Sequence, residues 1–268
     1  MSEYIDGKLL IIGGAEDKEG ECKILKRFIR EAGGRDSVIT VLTVATELPE
    51  QVGAEYRELF EKLGGGDVQV LDVAERGGAN HENIVRQLQK SSGVFFTGGD
   101  QLRITGLIGG TKLGKALHQL YERGVIIAGT SAGASVMSDT MIVGGEAGTA
   151  KKNTLTMAPG LGLLHSVVVD QHFAQRGRIG RLLTAVSQNP YVLGVGIDED
   201  TAILVHTDGR FSVVGENTVT VVDASPTIAS NVSEVSPGQA LVLTPVLMHV
   251  LSEGYGFDLK RRVAHDQS

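Results

Sequence analysis

Apolar residues in the first half of the chain follow two alternating patterns. Apolar or β-branched runs, unbroken or nearly so, occur at Leu9–Ile12, Ser37–Val44, Gly93–Thr97 and Val125–Ala128, and Val68–Val73 supplies a further strand. Runs this short, apolar at consecutive positions, predict strands covered on both faces, as in a parallel sheet. Between them the apolar positions recur every three or four residues. Ile24, Leu25, Phe28 and Ile29 do so within Glu21–Ala32, and Tyr56, Leu59, Phe60 and Leu63 within Gln51–Leu63. That spacing predicts helices with one buried face, stopped by Gly33–Gly34 and by Gly64–Gly66. His81–Lys90 and Thr111–Arg123 are predicted helices of the same kind. Strand and helix alternate from residue 8 to about residue 140, which predicts an α/β fold with a mostly parallel, doubly wound sheet flanked by helices.

The second half is less regular. Ser135–Thr140 is expected to complete a helix, and the Gly-rich passage Val143–Thr149 to be a flexible connection. Leu161–Val169 ends in an apolar run, Arg178–Val186 is an amphipathic helix, and Tyr191–Ile197 and Thr201–Val205 are strands. Phe211–Val214 and Thr218–Val222 flank the turn residues Gly215–Asn217 and read as a hairpin. Ala240–Tyr255 and Phe257–Leu259 supply further strands, and the charged tail from Lys260 is expected to be loose. No linker interrupts this part. It is expected to form an antiparallel C-terminal extension of the same sheet, with residues 1–268 as one α/β domain.

Composition narrows the function. The formal charge is −7, from 25 Lys plus Arg against 32 Asp plus Glu, which opposes broad nucleic-acid binding. With 36 glycines and only 6 prolines in a non-repetitive chain, many tight βα turns are expected. The single cysteine, Cys22, excludes an intrachain disulfide framework and fits a reducing compartment. No apolar run reaches membrane-spanning length, and Met1–Asp6 lacks the basic and apolar regions of a leader, so a cytoplasmic protein without a membrane partner is expected.

The chemistry centres on Gly129-Thr130-Ser131-Ala132-Gly133, directly after the strand Val125–Ala128. G-x-S-x-G at a strand end is the pattern of a nucleophile elbow, in which a sharp strand-to-helix turn lifts the serine above the sheet. Such a strand end is equally an ordinary βα turn, because Gly, Ser and Ala are common there. Ligands of open α/β sheets bind beyond the carboxyl ends of the strands, where Gly13–Gly14, Gly98–Gly99 and the elbow all fall. Neither glycine pair completes a dinucleotide or P-loop fingerprint. Among seven histidines, His172 stands out at the end of Val167–Val169, behind Asp170 and Gln171. Glu199 holds a similar place after Val195–Ile197, between Asp198 and Asp200, although acids after a strand are often a solvated turn or a cap. The order Ser, His, Glu differs from the Ser, acid, His of ordinary α/β-hydrolases. His172, Asp170 and Glu199 would also suit a metal, but no H-E-x-x-H motif or cysteine pair accompanies them, and no metal or cofactor is expected. Arg176, Arg178 and Arg181 follow closely and suit carboxylate recognition, or else a solvated basic helix start.

Five stretches in order carry a resemblance: Ile11–Asp17, Phe96–Gln101, Gly129–Ala134, Val169–Phe173 and Gly196–Thr201. Over essentially the whole chain they resemble the cyanophycinases, a serine peptidase family similar to dipeptidase E and, more distantly, to class I glutamine amidotransferases. The resemblance implies hydrolysis of cyanophycin, a polyaspartate bearing arginine on each β-carboxyl, to β-Asp-Arg dipeptides by a serine exopeptidase that is commonly a homodimer. It implies Ser131 as nucleophile, His172 as general base and Glu199 as orienting acid. Gln101, Asp170, Gln171, Arg176, Arg178 and Arg181 correspond to the substrate-contacting set, and backbone amides near Gly99 and Ala132 to the oxyanion hole. Some members carry a glutamate in the loop after the elbow. Here Thr149 stands near that place, with Glu146 shortly before it. A dipeptidase acting on α-linked aspartyl peptides is the alternative, and a noncatalytic binding protein the more distant one.

Overall fold

A computed structural model describes residues 7–266. The leader reading of Met1–Asp6 lies outside these residues. The first half runs β1 (Leu9–Ile12), α1 (Lys23–Ala32), β2 (Val38–Leu42), α2 (Pro49–Lys62), β3 (Asp67–Leu71), α3 (Glu82–Leu88), β4 (Gly93–Phe96), α4 (Gln101–Ile108), α5 (Lys112–Glu122), β5 (Ile126–Thr130) and α6 (Ala132–Ser135). The second half runs β6 (Thr140–Gly145), β7 (Leu155–Pro159), β8 (Val167–Gln171), α7 (Ile179–Gln188), β9 (Leu193–Ile197), β10 (Thr201–Val205), β11 (Arg210–Gly215) and β12 (Val219–Asp223). It closes with β13 (Ala229–Ser230), β14 (Leu243–Thr244), β15 (Leu247–Leu251), β16 (Tyr255–Asp258) and β17 (Val263–Asp266).

The principal sheet has nine strands in the order β17-β16-β11-β10-β1-β5-β4-β2-β3. From β1 to β3 it is parallel, and from β10 outward antiparallel, so the sheet is mixed rather than mostly parallel. Successive strand residues point to opposite faces and enter different cores. Leu10, Ile12, Val41 and Phe95 meet α1 and α2 through Phe28, Tyr56 and Phe60, whereas Leu9, Ile11, Leu42 and Phe96 meet α4 and α5. Consecutive apolar positions are therefore required, since both faces of each strand are covered. Among the described residues no helix is long and apolar enough to cross a membrane.

The structure departs from expectation in four places, three of them in the second half. β11 and β12 are not a hairpin. β11 joins the principal sheet, while β12 crosses to a second sheet of order β15-β12-β9-β8, so the C-terminal extension is divided between two sheets. The post-elbow helix ends at Ser135, and Thr140 opens β6, which pairs with β7. The start of the Gly-rich passage, Val143–Gly145, is thus in one arm of a two-stranded ribbon. The tail is ordered as β17 on the sheet edge, where Arg262 reaches Asp223 at 2.5 Å and donates to the Tyr191 carbonyl. Finally, α4 begins at Gln101 with its N-cap formed by Asp100, which accepts the Leu102 amide at 2.8 Å.

Candidate active site

Strand order gathers the site. β5 lies between β1 and β4, so the elbow emerges between the glycine pairs that follow those two strands. Ser131 has φ 54° and ψ −109°, a conformation costing a non-glycine residue about 1–3 kcal/mol that persists only where the surroundings enforce it. The turn closes tightly. A Cβ on Gly129 would meet the Gly133 carbonyl oxygen at 2.4 Å, and one on Gly133 would meet the Phe96 oxygen at 2.7 Å. Larger residues at either motif position would force the turn open.

The histidine and the glutamate come from the second sheet. β8 and β9 run parallel, and their carboxyl ends deliver His172 and Glu199 side by side. Ser131 Oγ lies 3.0 Å from His172 Nε2, and His172 Nδ1 lies 2.6 Å from Glu199 Oε1. A carboxylate can only accept, so Nδ1 carries the proton and Nε2 is free to accept from the serine hydroxyl. The residues are 41 and 27 positions apart in sequence, and the fold joins them in one hydrogen-bonded line.

A turn without functional side chains holds the two sources together. Ile12, Gly13 and Gly14 present successive carbonyls that accept the amides of Ser131 (3.1 Å), His172 (2.8 Å) and Asp200 (2.9 Å). Gly14 has φ 102°, and a Cβ there would lie 2.3 Å from His172 Cε1. Only glycine leaves room for the imidazole.

Burial lowers the His172 pKa below its ordinary value. The Glu199 hydrogen bond opposes that shift, and the nearby Arg176 and Arg178 cations add to it. The ring is therefore held in its neutral, proton-accepting form near pH 7. The amides of Gly99 and Ala132 carry no hydrogen bond among the described residues. A Cβ on Gly98 would lie 3.6 Å from Ser131 Cβ, so the loop bearing Gly99 borders the serine.

The side chains expected to touch substrate behave differently. Arg176 is exposed beside His172. Asp170, by contrast, is 1% exposed, and its carboxylate takes both Nε (2.7 Å) and Nη2 of Arg181, with Arg178 at 3.5 Å. Burial pushes the Asp170 carboxyl upward against the pull of these arginines. Burial and then the Arg181 cation bring Arg178 down to about 10. Arg178 also donates to the backbone and side-chain oxygens of Gln171. Asp170, Gln171, Arg178 and Arg181 are thus bonded to one another in a buried wall. Gln101 Nε2 donates at 3.1 Å to the carbonyls of Ile142 and Val143, tethering β6. Among the described residues no three His, Cys, Asp or Glu are arranged to hold a metal ion, and the Asp170 carboxylate is bonded to Arg181. Glu146 is exposed, with its amide on the Thr154 carbonyl in the β6–β7 ribbon. Cys22 is buried and free, and burial raises its thiol pKa.

Sequence reasoning passed over the fastenings behind His172 and Glu199. Asp198, 4% exposed, accepts the Ala174 amide at 2.9 Å and the Thr218 hydroxyl at 2.7 Å. Gln175 Oε1 accepts the Glu199 amide at 3.1 Å, and Asn217 Nδ2 donates to the Glu199 carbonyl at 2.9 Å. In sequence Asp198 is indistinguishable from a solvated turn acid. Its only signal is its place directly after an apolar strand.

A family model for peptidase family S51 matches residues 9–213. The chain belongs to this family. It is 40% identical over 262 residues to a cyanophycinase of Geminocystis herdmanii, covering 97% of this chain and 96% of that protein. It is 41% identical over 256 residues to a cyanophycinase of Nostoc sp., covering 95% and 86%. Among solved structures, a peptidase from an acI-B1 Actinobacterium superposes with a TM-score of 0.68 at 22% identity, over 91% of this chain and 97% of that one. At that identity the superposition speaks for the fold of this S51 member alone.

Proposed function

We propose that the protein is a cyanophycinase, a serine exopeptidase that hydrolyses cyanophycin to β-Asp-Arg dipeptides. The observation that carries the reading is the unbroken line Ser131 Oγ, His172 Nε2, His172 Nδ1, Glu199 Oε1 in a strained elbow. Its substrate comes from the two cyanophycinases that match nearly the full chain.

In this mechanism Ser131 Oγ attacks the backbone amide carbonyl of the polymer while its proton passes to His172 Nε2. Glu199 accepts the Nδ1 hydrogen bond throughout and stabilises the imidazolium. The Gly99 and Ala132 amides receive the negative charge of the tetrahedral intermediate. The imidazolium protonates the leaving amine, leaving an acyl-serine. Water then attacks that ester, His172 takes its proton, and collapse returns the proton to Ser131 Oγ. Arg176, exposed and acting on the base by its charge, is taken to meet a substrate carboxylate, while the buried group of Asp170, Gln171, Arg178 and Arg181 supports the strand end that carries His172, and Gln101 supports β6.

The same proposal takes the chain as one catalytic domain with a class I glutamine amidotransferase-like core, supported by the strand, serine turn and helix of β5–α6. It takes the protein to be a homodimer, supported by exposed Leu247, Met248 and Val250 on edge strand β15, and cytoplasmic, supported by the lone free cysteine. The deciding experiment compares release of β-Asp-Arg from purified polymer by the wild type and by Ser131→Ala, with an α-linked aspartyl peptide in parallel. Release by the wild type alone is expected. Cleavage of only the α-linked peptide would establish the dipeptidase alternative, and cleavage of neither would overturn the enzymatic reading.

A further inference from the structure

Glu16 is a buried carboxylate that the mechanism above does not use. It is 6% exposed and follows the Gly13–Gly14 turn by two residues. Its two oxygens are divided between separate elements. Oε1 accepts the Tyr56 hydroxyl of α2 at 2.5 Å, and Oε2 accepts the Thr130 hydroxyl at 2.5 Å. Both donors are themselves buried, Tyr56 at 3% and Thr130 at 4% exposure. Tyr56 is further fixed by its ring contact with Phe95 of β4, centroids 4.9 Å apart, and by Lys18 over its other environment, Nζ 4.2 Å from the ring centroid.

Thr130 is the last residue of β5 and the neighbour of Ser131. The backbone must turn from extended to positive φ across that single peptide link. Such a turn holds only if the residues on either side cannot relax. After Ser131 the restraint is visible, because the Ala134 and Ser135 amides both donate to the Ser131 carbonyl. Before it, the Ser131 amide is held by Ile12, and the preceding side chain is held by Glu16 alone among the described residues. Glu16 therefore fastens the strand side of the elbow to the same turn whose carbonyls hold His172.

We propose that Glu16 is a positioning residue, acting through Thr130 to hold Ser131 Oγ at attacking distance from the carbonyl and from His172. The inference rests on Ser131 being the nucleophile. Misplacing a reacting atom by about an ångström lowers turnover by as much as ~100-fold without weakening ground-state binding. The loss accordingly falls on kcat and spares KM.

The test measures kcat, KM and thermal midpoint on cyanophycin for Thr130→Val, Thr130→Ser, Tyr56→Phe and Ser131→Ala. Thr130→Val keeps the shape and removes the hydroxyl. It is expected to lower kcat about 10- to 100-fold with KM within about twofold, whereas Thr130→Ser, which restores the hydroxyl, recovers most of the loss. Tyr56→Phe frees one Glu16 oxygen at a distance from the elbow and is expected to lower kcat by about threefold, again at constant KM. A purely structural Glu16 would lower the midpoint and leave turnover of the folded protein unchanged. That result, or a rise in KM with constant kcat, overturns the proposal, and Tyr56→Phe alone decides it if Thr130→Val does not fold. Full activity in Ser131→Ala would instead sink the serine reading, so the two failures are distinguishable.

Discussion

The two sources of the site are built differently. The serine directly follows β5, between β1 and β4 of the parallel strands, in a turn closed by glycines that interlock with one another and with β4. His172 and Glu199 arrive from β8 and β9 of a separate sheet, on loops held by the Gly13 and Gly14 carbonyls and fastened further by the side chains of Asp198, Gln175 and Asn217. The first side is rigid because backbone packs on backbone. The second adds to its backbone bonds individual polar side chains, each removable by one substitution. Errors on the serine side should therefore disturb folding and chemistry together, while errors on the base side should separate them.

The strongest way to probe this contrast is Glu199→Gln. The amide keeps the size but can present a donor to Nδ1, which favours the wrong tautomer. Turnover is expected to fall about 10³- to 10⁴-fold with little change in stability, read from kcat and a urea unfolding curve. Gly14→Ala attacks the seam between the two sides. Its methyl group would overlap the imidazole, and kcat/KM is expected to fall about 100-fold while the polymer still binds.

Asp170→Asn should act in the opposite sense, on stability first. It leaves Arg181 buried without its carboxylate, and a loss of about 3 kcal/mol in unfolding free energy is expected, with turnover of the folded fraction reduced only several-fold. A neutral effect on unfolding would show that the arginine wall opens to solvent.

The smallest effect concerns pH. With His172 as the proposed base its deprotonated form is the active one, so the acidic limb of kcat/KM is expected to fall as pH drops through its lowered pKa. Arg176→Gln removes one cation that depresses this pKa. The limb should then move to higher pH by less than about one unit, and the shift should shrink in high salt because Arg176 is exposed. A shift to lower pH would refute the electrostatic role given to Arg176.

The parallel half was legible because strands covered on both faces are apolar at nearly every position, as β1 and β4 are throughout, and polar Asp67 and Gln69 fall in the edge strand β3. Ser131, His172 and Glu199 could be singled out from their positions after strands, but nothing local fixes the distance between residues 27 and 41 places apart. The hairpin at Gly215–Asn217 misled because a turn signal does not say which strand comes next to which. Thr218 is drawn toward β9 by the buried Asp198, which takes both its amide and its hydroxyl. α4 escaped notice because it is short and contains Gly106, with β-branched Ile104 and Thr105 near its centre. The arginines followed His172 closely enough to suggest a ligand site, yet Asp170 lies eleven residues before Arg181 and no periodicity announces that they meet.

The run of carbonyls at Ile12, Gly13 and Gly14 also bears on design. A triad is usually imagined as three side chains to be grafted onto a host. In this protein the portable unit is larger and mostly anonymous. It comprises a strand end with two glycines, facing outward in the order that the serine, histidine and acid loops require. Transplanting Ser131, His172 and Glu199 without that turn would move the reagents and leave behind the jig that spaces them.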